Sequence, residues 1–262
     1  MKEFTCKRCA KTFKAKPVEK PSLHRLMCAD STDKASVERL MNEEKAGLMA
    51  TDPPYCVEYH GGNHPRSLSN SELVKDKHHA DYQETGLGKN FFLQFLKVAL
   101  DAALSERPAI YQWHAHKRQA MVEECWGECG LMIHQQLIWA KARPVLTFSH
   151  MLWAHEPCFY GWIKGKPPAR KPPATATTLW KLDQQGLQGI HPTEKPVAVF
   201  AWPMEWHLEK GEVAFEPFAG SGTSLVAAEQ TGRLCYAIEK APAFVACTLE
   251  RLSVLGLESR RA

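Results

Sequence analysis

The chain has 262 residues, 44% of them hydrophobic, which is enough to bury a core and too apolar for a disordered polymer, and no apolar run is long enough to span a membrane. The formal net charge of +4 is unevenly spread: residues 1 to 20 hold seven Lys/Arg against two Glu, which leaves the remainder near neutral. The opening MKEFTCKRCAKTFKAK lacks an apolar signal-peptide core, so the nine cysteines read as thiols or metal ligands of a cytoplasmic protein and not as a disulfide framework.

In chain order, Cys6-Lys7-Arg8-Cys9 stands between Phe4 and Phe13 in a basic stretch, the pattern of a zinc knuckle on a hairpin. His24 and Cys28, at H-x3-C spacing, could complete a tetrahedral zinc site, with Lys7, Arg8 and Lys11 holding a polyanion. The alternative is that His24 and Cys28 serve a strand over 23–29. Residues 1–28 are therefore read as a zinc-finger-like basic segment, and 23–262 as the main domain. Asp30-Ser31-Thr32-Asp33 offers N-caps to a helix with the stripe Val37, Leu40 and Met41. A strand over 47–51 runs into Thr51-Asp52-Pro53-Pro54-Tyr55, where two prolines end it in a stiff elbow. Taken alone, that elbow is also ordinary turn chemistry.

Residues 56–90 are polar and form a long loop carrying Arg66. Helices are predicted over 91–104 and 116–125, and strands over 108–113, 131–141 and 157–162. The stretch 164–178 is rich in Pro and Lys and reads as irregular, with Lys164, Lys166, Arg170 and Lys171 available to phosphates. A helix over 196–208 follows, then strand 212–216, helix 223–231, strand 234–239 and helix 242–252. Strands alternating with helices predict an α/β fold with a mainly parallel sheet covered on both faces. Within it, a strand leads through Glu216-Pro217-Phe218-Ala219-Gly220-Ser221-Gly222 straight into the helix opened by Thr223-Ser224, and Glu239 ends the next strand. Glycines there let the backbone lie against a ligand, the helix start suits an anion, and an acid at the next strand tip suits ribose hydroxyls.

Three of these stretches resemble a known family in their order. TDPPY at 51–55, HPTEKPV at 191–197 and EPFAGSGTS at 216–224 resemble the catalytic motif and the paired cofactor motifs of S-adenosylmethionine-dependent amino-methyltransferases of DNA, in the class whose catalytic motif precedes the cofactor motif. His155-Glu156-Pro157 with Phe159-Tyr160-Gly161-Trp162 is similar to a strand of the same family. The resemblance covers about residues 23–254, and the layout resembles stand-alone phage and prophage enzymes more than restriction-linked ones. It implies a Rossmann-like methyltransferase fold with circularly permuted motif order, S-adenosylmethionine as cofactor and double-stranded DNA as partner.

The resemblance also implies roles. Asp52 and the Pro53 carbonyl would accept the hydrogens of a flipped base's amine, Pro54 would stiffen the elbow, and Tyr55 would stack on the base. Phe218, Gly220 and Gly222, with Ser221, Thr223 and Ser224 beside them, would line the methionine end of the cofactor. Glu216 would approach its amine and Glu239 its ribose. His191, Thr193 and Lys195 would close the carboxylate side, and Asp30 with Ser31 would meet the adenosine. The family usually has Gly-Asp where this chain has Ala29-Asp30, and Asp-Pro-Phe where it has Glu216-Pro217-Phe218. In the family an initial Asp in the catalytic motif goes mostly with adenine N6 and Ser with cytosine N4, so Asp52 favours adenine. Cytosine methylation is the first alternative, and a zinc-finger nucleic-acid-binding protein with vestigial methylation is the second. Target choice would fall to the finger, to the DNA-facing loops 56–90 and 163–190, or to a second subunit.

Overall fold

The computed structural model describes residues 23–55, 87–145, 150–182 and 195–259, together with the backbones of two short strands, β1 (Lys2–Thr5) and β2 (Thr12–Ala15). These two pair antiparallel, Phe4 opposite Phe13, as a ribbon of their own. The described remainder builds one eight-stranded sheet. Its strands are β3 (Arg25–Cys28), β4 (Ala46–Thr51), β5 (Leu104–Trp113), β6 (Leu131–Val145), β7 (Trp153–Ile163), β8 (Leu179–Leu182), β9 (Val213–Glu216) and β10 (Leu234–Glu239), in the order β3-β10-β9-β4-β5-β7-β6-β8. All neighbours are parallel except those of β7, which runs against both β5 and β6.

The central strands are mostly apolar because both faces are covered. In β4, Ala46, Leu48, Met49, Ala50 and Thr51 are all buried, and so is every residue of β9. Alternation on β5 then splits the core. Ala109, Tyr111 and Trp113 face α4 (Ala198–His207), α5 (Thr223–Thr231) and α6 (Pro242–Val254), whereas Ile110 faces α1 (Lys34–Met41), α2 (Lys89–Val98) and α3 (Gln119–Glu128). Asp33 caps α1 by accepting from the N–H groups of Ala35 and Ser36. On α2, Phe92, Phe95 and Leu96 form the buried i, i+3, i+4 stripe. Gly161 on β7 admits no side chain: a Cβ there would stand 1.9 Å from the Met132 carbonyl oxygen.

Several boundaries differ from the sequence reading. The predicted helix over 91–104 ends at Val98, and the run of small residues Ala99–Ala103 winds into a π turn before β5 begins. Residues 116–118 form a 3-10 turn ahead of α3. Within the stretch expected to be loop, Leu179–Leu182 joins the sheet beside β6, with Trp180 and Leu182 buried. Cys125 is buried on α3, packed like a small apolar side chain.

Candidate active site

Because β3, β10, β9, β4 and β5 run parallel, their C-terminal ends share one edge, the place where open α/β sheets bind ligands. Ends of non-adjacent segments meet there. Asp52 leaves β4, Glu216 ends β9, Glu239 ends β10 opposite Cys28, and Asp30 follows β3 two residues later.

At β4 the elbow carries a chain of alternating charge. Asp52 Oδ2 lies 2.7 Å from Lys195 Nζ, and the same ammonium is 2.7 Å from Glu156 Oε2 and donates to the Tyr55 hydroxyl at 3.0 Å. Lys141 Nζ takes the other Glu156 oxygen at 2.6 Å. The Lys195 side chain is only 5% accessible, and its ammonium lies 5.5 Å from the Tyr55 ring centre and 5.3 Å from that of Trp113. Asp52 Oδ1 is shielded and has no hydrogen-bond partner among the described residues. Burial pushes the Asp52 pKa above the usual carboxylate value; Lys195 opposes that rise and Glu156 adds to it. Glu156 is partly buried, but Lys195 and Lys141 outweigh that desolvation and bring it down to about 2. Lys195 is held protonated, since its two carboxylates outweigh desolvation. Lys195 was expected on the cofactor side from the sequence; its ammonium is found on Asp52 and Glu156. From the sequence Glu156 is marked only as part of a family-like strand and Lys141 not at all; Glu156 is the one acid in β7, and that was the signal available.

The glycine turn is pinned from behind. Glu239 accepts from the Gly220 N–H through one oxygen and from the Ala241 N–H through the other, both at 2.8 Å. Burial raises its pKa, against those backbone bonds. Thr248 on α6 donates to the Gly220 carbonyl at 3.0 Å, and Arg251 donates to the Ser221 carbonyl at 3.2 Å and to Thr223 at 3.1 Å. Nothing lies within 4 Å of where a Cβ on Gly220 would stand, so that side of the turn faces open space. Phe218 packs on Phe91 and Phe95, and Ser224 is buried in the first turn of α5. Glu216 folds back: its Oε1 accepts from Thr51 Oγ1 at 2.6 Å and from the Phe218 N–H at 3.0 Å, and burial drives its pKa well up. Asp30 accepts from Thr32 and pairs with Lys240 at 2.7 Å, while the adjacent Ser31 is buried.

Two expectations are corrected. His24 and Cys28 do not complete one zinc site. β3 is extended, so they stand about 13 Å apart along it. Both His24 ring nitrogens are taken as well, Nδ1 by the Cys235 N–H and Nε2 by Glu229, each at 3.1 Å. Among the described residues no group of three or more His, Cys, Asp or Glu is arranged to hold a metal. The basic stretch 164–171 lies at the wrong end for a DNA-facing loop at the site. β7 runs antiparallel, so Lys164 leaves it roughly 25 Å from Glu156, where its N–H bonds the Gly130 carbonyl at the start of β6. Lys166 follows in the turn, Arg170 pairs with Glu209, and Lys171 lines a cavity of about 480 Å³ between Tyr160 and Trp206. Cys6, Lys7, Arg8, Cys9, Lys11, Arg66, His191 and Thr193 lie outside the described residues.

Comparison with known proteins agrees with this fold. Over 192 residues the chain is 29% identical to the candidate methylase YubD of Escherichia coli (strain K12), covering 73% of this chain and 75% of that one. Its fold is similar to that of M1.HpyAVI in a SAM complex, with TM-score 0.64, 17% identity, and 88% of this chain and 99% of that one covered. It is equally similar to the cytosine-N4-specific PvuII DNA methyltransferase, with TM-score 0.64, 16% identity, and 94% and 92% covered. Residues 47–250, well over half the chain and spanning both the elbow and the glycine turn, match the DNA methylase family of the N6/N4 class, and the protein belongs to that family.

Proposed function

We propose that the protein transfers a methyl group from S-adenosylmethionine to the exocyclic N6 of adenine, in a base turned out of double-stranded DNA. The cofactor supplies a methyl group on a sulfonium, already a good electrophile. What remains for the chain is to hold a weakly nucleophilic amine in line and to balance the charge that develops on it. The observation that carries this reading is Asp52 Oδ1, a shielded carboxylate oxygen without a hydrogen-bond partner among the described residues, on the same sheet edge as the open side of Gly220. It accepts one amine hydrogen and the Pro53 carbonyl accepts the other, so the nitrogen lone pair points away from both. As the amine took up the methyl group, with the old bond pair left on the cofactor sulfur, the nitrogen would become cationic and Asp52 would face it with a negative charge. The spare proton then passes to Asp52 and on to solvent. Glu239 and the start of α5 fit the ribose and the carboxylate end of the cofactor. Asp in first place in the elbow supports adenine by family resemblance.

The test is radiolabelled methyl transfer to unmethylated plasmid DNA by wild type and by Asp52→Asn, with mass analysis of the nucleosides. N6-methyladenine is expected, with a loss of at least about 100-fold in the variant. N4-methylcytosine would overturn the choice of base, and equal rates in the two proteins would overturn the role of Asp52.

A further inference from the structure

The alternating line Asp52–Lys195–Glu156–Lys141 has a consequence for how the elbow keeps its charge. An ammonium 2.7 Å from the carboxylate that must steady a cationic amine works against that task, because it neutralises the charge the amine needs. Here the ammonium is shared. Glu156 Oε2 holds it at the same 2.7 Å, and Glu156 is itself fixed through Oε1 by Lys141. The four charges sum to zero, and Asp52 engages the line through Oδ2 alone, leaving Oδ1 without a partner among the described residues.

We propose that Glu156 is a positioning residue that shares the Lys195 ammonium with Asp52, so that Oδ2 is anchored while Oδ1 keeps the negative charge that receives the target amine. This rests on the methyl-transfer reading for its purpose, but the charge arrangement can be measured without it. In this reading Glu156 meets neither cofactor nor base and acts through Lys195. The titratable groups facing Asp52 are Lys195 before α4, Glu156 and Cys158 on β7, Tyr55 on the elbow and Glu216 at the end of β9, with Lys141 on β6 one step further out. Removing the charge of Glu156 leaves Lys195 to Asp52 alone and makes the Asp52 carboxylate easier to ionise. Removing Lys195 does the reverse, since two carboxylates then face each other unscreened.

The test follows the Asp52 carboxyl by carbon-13 NMR in the free protein, in wild type, Glu156→Gln, Lys195→Met and the double variant, beside the pH profile of single-turnover methyl transfer on unmethylated plasmid DNA. Glu156→Gln is expected to move the Asp52 midpoint, and the acid limb of the rate, down by about 0.5–1 pH unit, and Lys195→Met to move them up by about as much. The double variant returns the midpoint toward wild type, and the plateau rate of Glu156→Gln falls while its KM for DNA holds. A merely structural role would lower thermal stability and leave the midpoint in place, and that result overturns the proposal. If Lys195→Met does not fold, the direction of the Glu156→Gln shift decides by itself, an upward or absent shift being fatal. If the titration behaves as expected and wild type transfers no methyl group, the function reading fails and the charge arrangement stands.

Discussion

Thr51 Oγ1 donates a 2.6 Å hydrogen bond to Glu216 Oε1, and so ties the residue before the elbow to the residue that opens the glycine turn. The two are 165 positions apart, and they meet because β4 lies directly beside β9, Leu48 opposite Ala214. The catalytic and cofactor halves of the proposed site are therefore held in register by a buried side-chain bond as well as by the sheet.

Glu216 has a pH signature. Burial raises its pKa in the folded chain above that of the unfolded chain, so the folded form keeps a proton that the unfolded form has released. That contribution is fully present below about pH 4.3 and is lost as the pH rises toward the folded value. Glu216→Gln removes it. Urea melts should show the variant gaining on wild type as the pH rises above about 5, and a gap that stays constant would contradict this account.

Gly222 sits at φ +79°, and a Cβ there would lie 2.5 Å from Thr248 Cγ2. Gly222→Ala should cost about 1–3 kcal/mol from backbone strain and overpacking together. Thr248→Ala in the same chain should recover part of that by clearing the collision, although it also removes the hydroxyl that bonds the Gly220 carbonyl. Thermal melts of the two single variants and the double variant separate the contributions, and additive losses would show that the collision is absent.

His207 is buried between the Tyr111 hydroxyl at 3.0 Å and the Arg170 carbonyl at 2.9 Å, and burial lowers it to about 4. Its folded pKa lies below the unfolded value of about 6.5, so stability is lost as the pH falls between the two. His207→Phe should cost about 1–3 kcal/mol near neutrality by stranding both partners, with the deficit narrowing toward about pH 5. A deficit that widens on acidification would refute this.

The elements that could be read from the chain are those decided locally. Thr223–Thr231 and Leu234–Glu239 lie where periodicity and their bounding residues put them, because the glycines and the strand-tip acid bound both. What escaped reading depends on direction and distance. The reversal of β7 carries the 164–171 lysines to the far end of the sheet, and no local pattern encodes which way a strand runs. β8 is four residues long, with only Trp180 and Leu182 facing inward, too short for alternation to stand out behind a proline-rich stretch. The H-x3-C spacing suits a metal on a helix turn; on an extended strand the same spacing pulls the two residues apart. Lys195 precedes α4, and only the packing of that helix against the elbow brings it to Asp52 and Glu156.

The neighbours of β4 also bear on synthesis. One flank pairs with β5, the next described strand of the sheet in the chain, whereas the other waits for β9, which reaches Val213 only after most of the polypeptide has been made. A nascent chain thus carries an apolar strand with one bare hydrogen-bonding edge for much of its translation. Folding limited by so distant a pairing is expected to be slow, and chains halted before β9 should be the ones that aggregate.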